Sequence, residues 1–145
     1  MRFRLVDRIL ELDAAKHVPA EKWIPPEVDY FVDHFPGYPT VPAVLLVEMM
    51  AHAAGEFLLA DIARTQWPVL VQVTHAHFRK NVKPGSIVGI DATIESCNDR
   101  TVRTRGCITC KGARVAVSSL MFGSIPKDLL AANLDDKMLR LSLMA

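Results

Sequence analysis

At 145 residues the chain has room for one domain with a substantial core, and not for a second of ordinary size. Half of its residues are hydrophobic and its formal net charge is only +1, a balance that argues against a nucleic-acid protein, which would be plainly basic. Met1-Arg2-Phe3-Arg4 leads into a charged amphipathic segment, so no secretory signal is expected, and the longest apolar stretch, Ala43 to Ala60, is interrupted by Glu48, His52 and Glu56, so no membrane span is expected.

Leu5 to Leu12 reads as a first strand, Asp13-Ala14-Ala15-Lys16 as the turn after it, and Val18 to Ile24 as a second strand. Pro25 to Val41 is rich in proline, glycine and aromatic residues and reads as a loop. Within it, Pro36-Gly37 predicts a type II turn, because proline presets φ at the second position and glycine accepts a positive φ at the third. His34 is therefore held by a rigid turn. A helix is predicted from Pro42 to Ile62 or Arg64, with Pro42 as its first residue, Thr40 as its cap and Trp67-Pro68 as its stop.

Five period-2 segments follow: Val69 to Val73, His75 to Lys80, Ser86 to Glu95, Thr101 to Cys110 and Ala113 to Phe122. Turn signals separate the later ones at Lys83-Pro84-Gly85, Asn98-Asp99-Arg100 and Lys111-Gly112. Strands on both sides of one apolar helix predict an α+β domain, an antiparallel sheet wrapped around that helix. From Lys127 to the end, Leu130, Leu134, Met138 and Leu141 recur at helical spacing and predict a short amphipathic helix.

Three cysteines, an odd number without a secretory signal, predict reduced thiols and a cytoplasmic setting. Cys107-Ile108-Thr109-Cys110 has the C-x-x-C spacing, but residues three apart on a strand face opposite sides, so no redox or zinc role is expected. His75 and His77 share a strand face and read as part of its polar side.

Two residues carry the chemistry. Glu48 stands on the second turn of a helix with almost no polar face, and an ionised carboxylate among apolar neighbours costs several kcal/mol unless it is paired, protonated or at a cavity wall. Burial raises a carboxyl pKa and suits it to give a proton. The turn histidine His34 is suited to take one. Glu48, His52 and Glu56, at successive fourth positions, equally fit one solvated stripe of the helix.

His34-Phe35-Pro36-Gly37-x-Pro39, followed by Pro42-x-Val44-Leu45, Glu48 and Ala51, resembles the signature of the FabZ-like (3R)-hydroxyacyl-[acyl-carrier-protein] dehydratases of the hot-dog fold. Leu5 to Leu12, Phe78-Arg79-Lys80 and Val82-Lys83-Pro84-Gly85 extend the likeness in the family's order over most of the chain. The resemblance implies an α+β hot-dog domain over residues 1–126, with 127–145 as a C-terminal amphipathic helical tail of the same domain. It also implies loss of water from a (3R)-3-hydroxyacyl thioester to give the trans-2-enoyl thioester, in fatty-acid or related acyl-chain synthesis.

By the same resemblance His34 is the base, Glu48 the acid and the backbone N–H of Ala43 the donor to the thioester oxygen. Phe35, Pro36, Gly37 and His52 support the site. No cofactor and no metal are implied. The two reacting groups come from opposite subunits in this family, which predicts a homodimer or a hexamer built as a trimer of dimers. The sequence departs from the pattern at Asp33, where glycine is common, at Ala43, which replaces glycine, and at His52, which replaces glutamine.

The implied partner is the acidic acyl carrier protein bearing the substrate. Arg79, Lys80 and Lys83, beside the family's turn, and Arg103 and Arg105, on one strand face, are its expected docking residues. Two other readings stay open: a hot-dog acyl thioesterase, and a non-catalytic subunit that binds the carrier or its acyl chain.

Overall fold

A computed structural model describes residues 4–11, 16–62 and 66–128 of the chain. Its strands are β1 (Arg8–Ile9), β2 (His17–Trp23), β3 (Gln66–Phe78), β4 (Ile87–Cys97), β5 (Val102–Cys110) and β6 (Ala113–Pro126), with one helix, α1 (Ala43–Ile62), between β2 and β3. All the strands pair antiparallel in the order β1-β2-β4-β5-β6-β3, so the strand that follows the helix closes the far edge of the sheet.

Period-2 alternation sends one face of each strand onto the helix. Val18 and Ala20 of β2, Val88, Ile90 and Ala92 of β4, Ile108 of β5 and Leu120 and Phe122 of β6 meet Leu46, Met49, Met50, Ala53, Ala54 and Leu58 of α1 in one buried core. Small helix residues let the sheet come close. At Gly106 the approach is tightest, since a Cβ built there would lie 2.7 Å from both Cβ and Sδ of Met50.

The turns follow their predicted chemistry. Gly85 sits at φ 77°, and Lys111 and Gly112 both have positive φ in the two-residue β5–β6 hairpin. The Asn98 side-chain oxygen accepts the backbone N–H groups of Arg100 and Thr101, closing the β4–β5 turn.

Several expectations need correction. The first strand is only Arg8–Ile9, because Asp7 turns its carboxylate to the Trp23 N–H at 2.7 Å and to Lys22 at 2.9 Å while Leu5 and Val6 bury themselves in the core. Trp67-Pro68 does not stop the helix; it lies inside β3, opposite Ile125 and Ser124. Proline is tolerated there because β3 is an edge strand, with one side free of ladder bonds. The two segments predicted around Thr74 form one strand, interrupted only by irregularities at Leu70/Gln72 and Val73/His75.

Most of the predicted turn at residues 13–16 and most of the C-terminal tail at 127–145 lie outside the described residues. Among the described residues no helix is long and apolar enough to cross a membrane.

Candidate active site

The loop between β2 and α1 is built to hold one imidazole. Phe31, in a 3-10 turn (Asp29–Phe31), buries its ring and anchors the loop, and the His34 N–H donates to Tyr30 O at 2.9 Å. Phe35 to Tyr38 then close a tight turn, with Tyr38 N–H donating to Phe35 O at 2.9 Å and Gly37 at φ 75°. That is the turn expected from Pro36-Gly37, and the positive φ is what glycine supplies. The Phe35 ring is half exposed and stacks on the His34 ring at 4.0 Å.

Thr40 grips His34 twice. Its N–H donates to His34 O at 2.9 Å, and its carbonyl accepts from His34 Nδ1 at 2.8 Å. A carbonyl can only accept, so Nδ1 carries a proton, and in the neutral ring it is Nε2 that holds the lone pair. Thr40 is itself buried and fixed, its hydroxyl donating to Val82 O at 3.1 Å. The same Val82 carbonyl accepts the Val41 N–H at 2.8 Å.

The expected helix cap at Thr40 is therefore replaced by a different role, holding the histidine. Pro42 stands one position before the helix, with its carbonyl accepting the Leu45 N–H at 2.9 Å, and Ala43 is the first helical residue. The N–H groups of the first turn have no intrahelical acceptor, and Ala43 opens that turn.

Glu48 is half-buried on α1. Burial raises its carboxyl above the usual 4.5, and nearby His52 pulls in the opposite direction without cancelling the rise. His52 turns its Nε2 toward Glu56, 3.4 Å away, so its direct contact is with the carboxylate one turn further on, not with Glu48. Among the described residues no hydrogen bond or ion pair joins His34 to Glu48. Asp33 is exposed and makes no ion pair with His34.

The expected docking residues fall into two groups. Lys80 and Lys83 line a cavity of about 340 Å³ together with Lys111, Asn81, Ser86 and Cys110, and Lys83 also places its ammonium 5.1 Å from the centre of the Tyr38 ring. This group adjoins the His34 turn. Arg79, which donates its N–H to Val115 O, leads into it. Arg103 and Arg105 are exposed on β5, and Arg105 is engaged by Glu95 at 2.6 Å.

Sequence reading missed Thr40 as the support of His34. Its signal, a small polar residue in the loop, is shared by every helix cap. Lys111 stands out in the sequence as one of the basic residues of the window from Arg100 to Arg114, which holds no acidic residue; its place beside Lys83 was not legible, since only the pairing of β5 with β4 brings that hairpin there.

Residues 1–118 match the model of the FabA-like domain. The chain is 35% identical over 121 residues to the 3-hydroxyacyl-[acyl-carrier-protein] dehydratase FabZ of Petrotoga mobilis, covering 83% of this chain and 86% of that protein. To the FabZ of Xylella fastidiosa strain M12 it is 38% identical over 110 residues, covering 72% of this chain and 66% of that one.

Solved structures share the fold. A thioesterase superfamily member from Thermus thermophilus superposes with a TM-score of 0.70 at 19% identity, over 92% of this chain and 95% of that one. The fluoroacetyl-CoA thioesterase FlK gives 0.71 at 12% identity, over 84% and 94%. A hot-dog-like protein from Thermanaerovibrio acidaminovorans gives 0.65 at 16% identity, over 79% and 85%. At these identities the likeness shows the hot-dog fold and nothing of the chemistry.

Proposed function

This chain belongs to the FabA-like family, and from that premise we propose that it is a hydro-lyase that converts (3R)-3-hydroxyacyl-[acyl-carrier-protein] to the trans-2-enoyl form, with His34 as base and Glu48 as acid. The observation that carries the reading is the hydrogen bond from His34 Nδ1 to Thr40 O, which leaves Nε2 free to take a proton. A base must present a lone pair to the proton that it removes.

In the proposed reaction His34 Nε2 removes the proton from C2 of the acyl chain. The C2–H electrons form the C2–C3 double bond as the C3–O bond breaks, and Glu48 protonates the departing hydroxyl, which leaves as water. Negative charge that builds on the thioester oxygen is met by the Ala43 N–H at the start of α1. The raised pKa of Glu48 supports its part, since an acid must hold its proton until the leaving group claims it.

The site is proposed to form between two copies, as a homodimer or a hexamer of three dimers. Among the described residues no hydrogen bond or ion pair joins His34 to Glu48, and β3 ends the sheet with Val71, Val73 and Phe78 exposed. An apolar edge strand of that length is a template for another strand. The carrier protein is proposed to dock on the side of Lys80, Lys83 and Lys111, and the reaction to run in the cytoplasm.

The test is mass spectrometry of a (3R)-3-hydroxyacyl carrier protein incubated with wild type, His34→Ala and Glu48→Gln. Loss of one water with wild type, slowed on the order of 100-fold or more in each variant, is the expected result. Loss of the whole acyl chain would replace the dehydratase with a thioesterase, and tight carrier binding without turnover would replace it with a non-catalytic subunit.

A further inference from the structure

On β3, His75 and His77 stand two residues apart, so their side chains leave the same face of the strand. Cross-strand partners share a face, and theirs are Ser119 and Val117 of β6. Those two are only partly buried, whereas the residues between and beside them, Ala116, Ser118 and Leu120, are buried under the helix. The two imidazoles therefore lie on the outer face of the sheet, turned away from α1. Both are exposed, and among the described residues neither ring has a hydrogen-bond or ion-pair partner.

Their ring centres are 5.3 Å apart. A zinc–imidazole bond is about 2.0–2.1 Å long, and the ring centre lies roughly 1.1 Å behind the ligating nitrogen, so two imidazoles at a tetrahedral angle around one ion have centres about 5.2 Å apart. The observed spacing of the ring centres matches that of a two-imidazole chelate, which forms when side-chain torsions turn one nitrogen of each ring onto the ion. The planes are inclined at 51°, and exposed side chains adjust their torsions without disturbing a core.

We propose that His75 and His77 form a binding site for a divalent transition-metal ion, of the copper, nickel or zinc class that imidazole favours. No cluster of three His, Cys, Asp or Glu side chains is found among the described residues, so this chain supplies two ligands and leaves the other positions to water. The outer face stays open when a second strand joins the edge of β3, because ladder bonds form in the plane of the sheet and the rings stand out of it. An antiparallel partner strand would bring its own pair of imidazoles to that same face.

The experiment is titration of metal-free protein with Cu2+, Ni2+ and Zn2+ by calorimetry, for wild type, His75→Ala, His77→Ala and His17→Ala, with nitrogen hyperfine structure of the Cu2+ complex read by paramagnetic resonance. Wild type and His17→Ala are expected to bind alike, and each β3 variant to bind at least tenfold more weakly, with ring nitrogens from both histidines seen only in the first two, two per ion at one ion per chain and four where two chains share one ion. One ion per two chains would place the partner's imidazoles in the same site. Equal binding by all four proteins, or none by wild type, overturns the proposal. Far-ultraviolet circular dichroism of each variant separates loss of ligand from loss of fold.

Discussion

His34 and Thr40 are bound to each other in both directions: Thr40 N–H donates to the His34 carbonyl at 2.9 Å, and His34 Nδ1 donates to the Thr40 carbonyl at 2.8 Å. The five residues between them, Phe35 to Pro39, are closed by this pair, and the Thr40 hydroxyl ties the closure to Val82. Replacing Thr40 by valine keeps the shape and both backbone bonds but removes the hydroxyl. Val82 O retains the Val41 N–H, so the expected loss is that of one buried hydrogen bond, about 0.5–1.5 kcal/mol in denaturant unfolding. Turnover should fall far less than with His34→Ala. A loss as large as that of His34→Ala would give the hydroxyl a direct part in the chemistry.

Glu48→Gln separates stability from activity. The folded-state pKa of Glu48 is raised above 4.5 by burial, so the folded protein binds this proton more tightly than the unfolded chain does. The stabilisation from that proton is complete below the unfolded value and is lost as pH rises through the folded one. Above the folded value the ionised carboxylate is therefore a cost that glutamine removes. The variant is expected to be slowed on the order of 100-fold or more and to melt above wild type on the alkaline side, with the gap closing toward acid pH. Equal melting temperatures across the range would show that the carboxylate is not desolvated.

His52→Gln tests the charge neighbour. After burial, the second influence on Glu48 is the electrostatic pull of His52, which lowers the carboxyl pKa. Glutamine removes that pull and leaves the desolvation, so the carboxyl rises further. If Glu48 is the acid, the alkaline limb of the kcat/KM profile moves to higher pH in the variant, because the acid form survives longer. An alkaline limb that stays in place would assign it to another group.

Gly106 is a glycine for want of space. A Cβ there would stand 2.7 Å from Met50 Cβ and Sδ, and Met50 is fully buried. Gly106→Ala is expected to cost about 1–3 kcal/mol, the usual penalty for overpacking. Adding Met50→Ala should rescue it only in part, since the Met50 Cβ, one of the three side-chain atoms that a Cβ at position 106 would meet, remains. Full rescue would show that the strand, not the side chain, gives way.

The sequence carried the helix almost to its ends, because an apolar run bounded by Pro42 has no other good reading, and the structure places it at Ala43–Ile62. Three of the four strands after the helix, β4, β5 and β6, were legible from alternation and from turn residues that need positive φ, Gly85 and Gly112 among them. What failed was anything set by position in the sheet. Pro68 signals a break locally, and only its place on an edge makes it harmless. Thr40 looks like any helix cap until the loop folds back on Val82. His34 was legible because its turn is written in the residues beside it, whereas Lys111 joins Lys83 only through strand pairing.

That pairing yields a test of where the carrier protein docks. Lys80, Lys83 and Lys111 share a cavity beside the His34 turn. Arg105 lies six residues before Lys111, roughly 20 Å along the strand at about 3.3 Å per residue, with its guanidinium held by Glu95. An acidic partner that delivers a thioester to His34 meets the lysines first. Replacing all three lysines by alanine should raise KM for the carrier-borne substrate at low salt and leave KM for a small-molecule thioester unchanged. The difference should shrink as salt screens wild type toward the variant. Arg103→Ala with Arg105→Ala is expected to have the smaller effect on KM. If the arginine variant is the weaker of the two, the carrier docks across the outer face of the sheet and the lysine cavity serves no part of it.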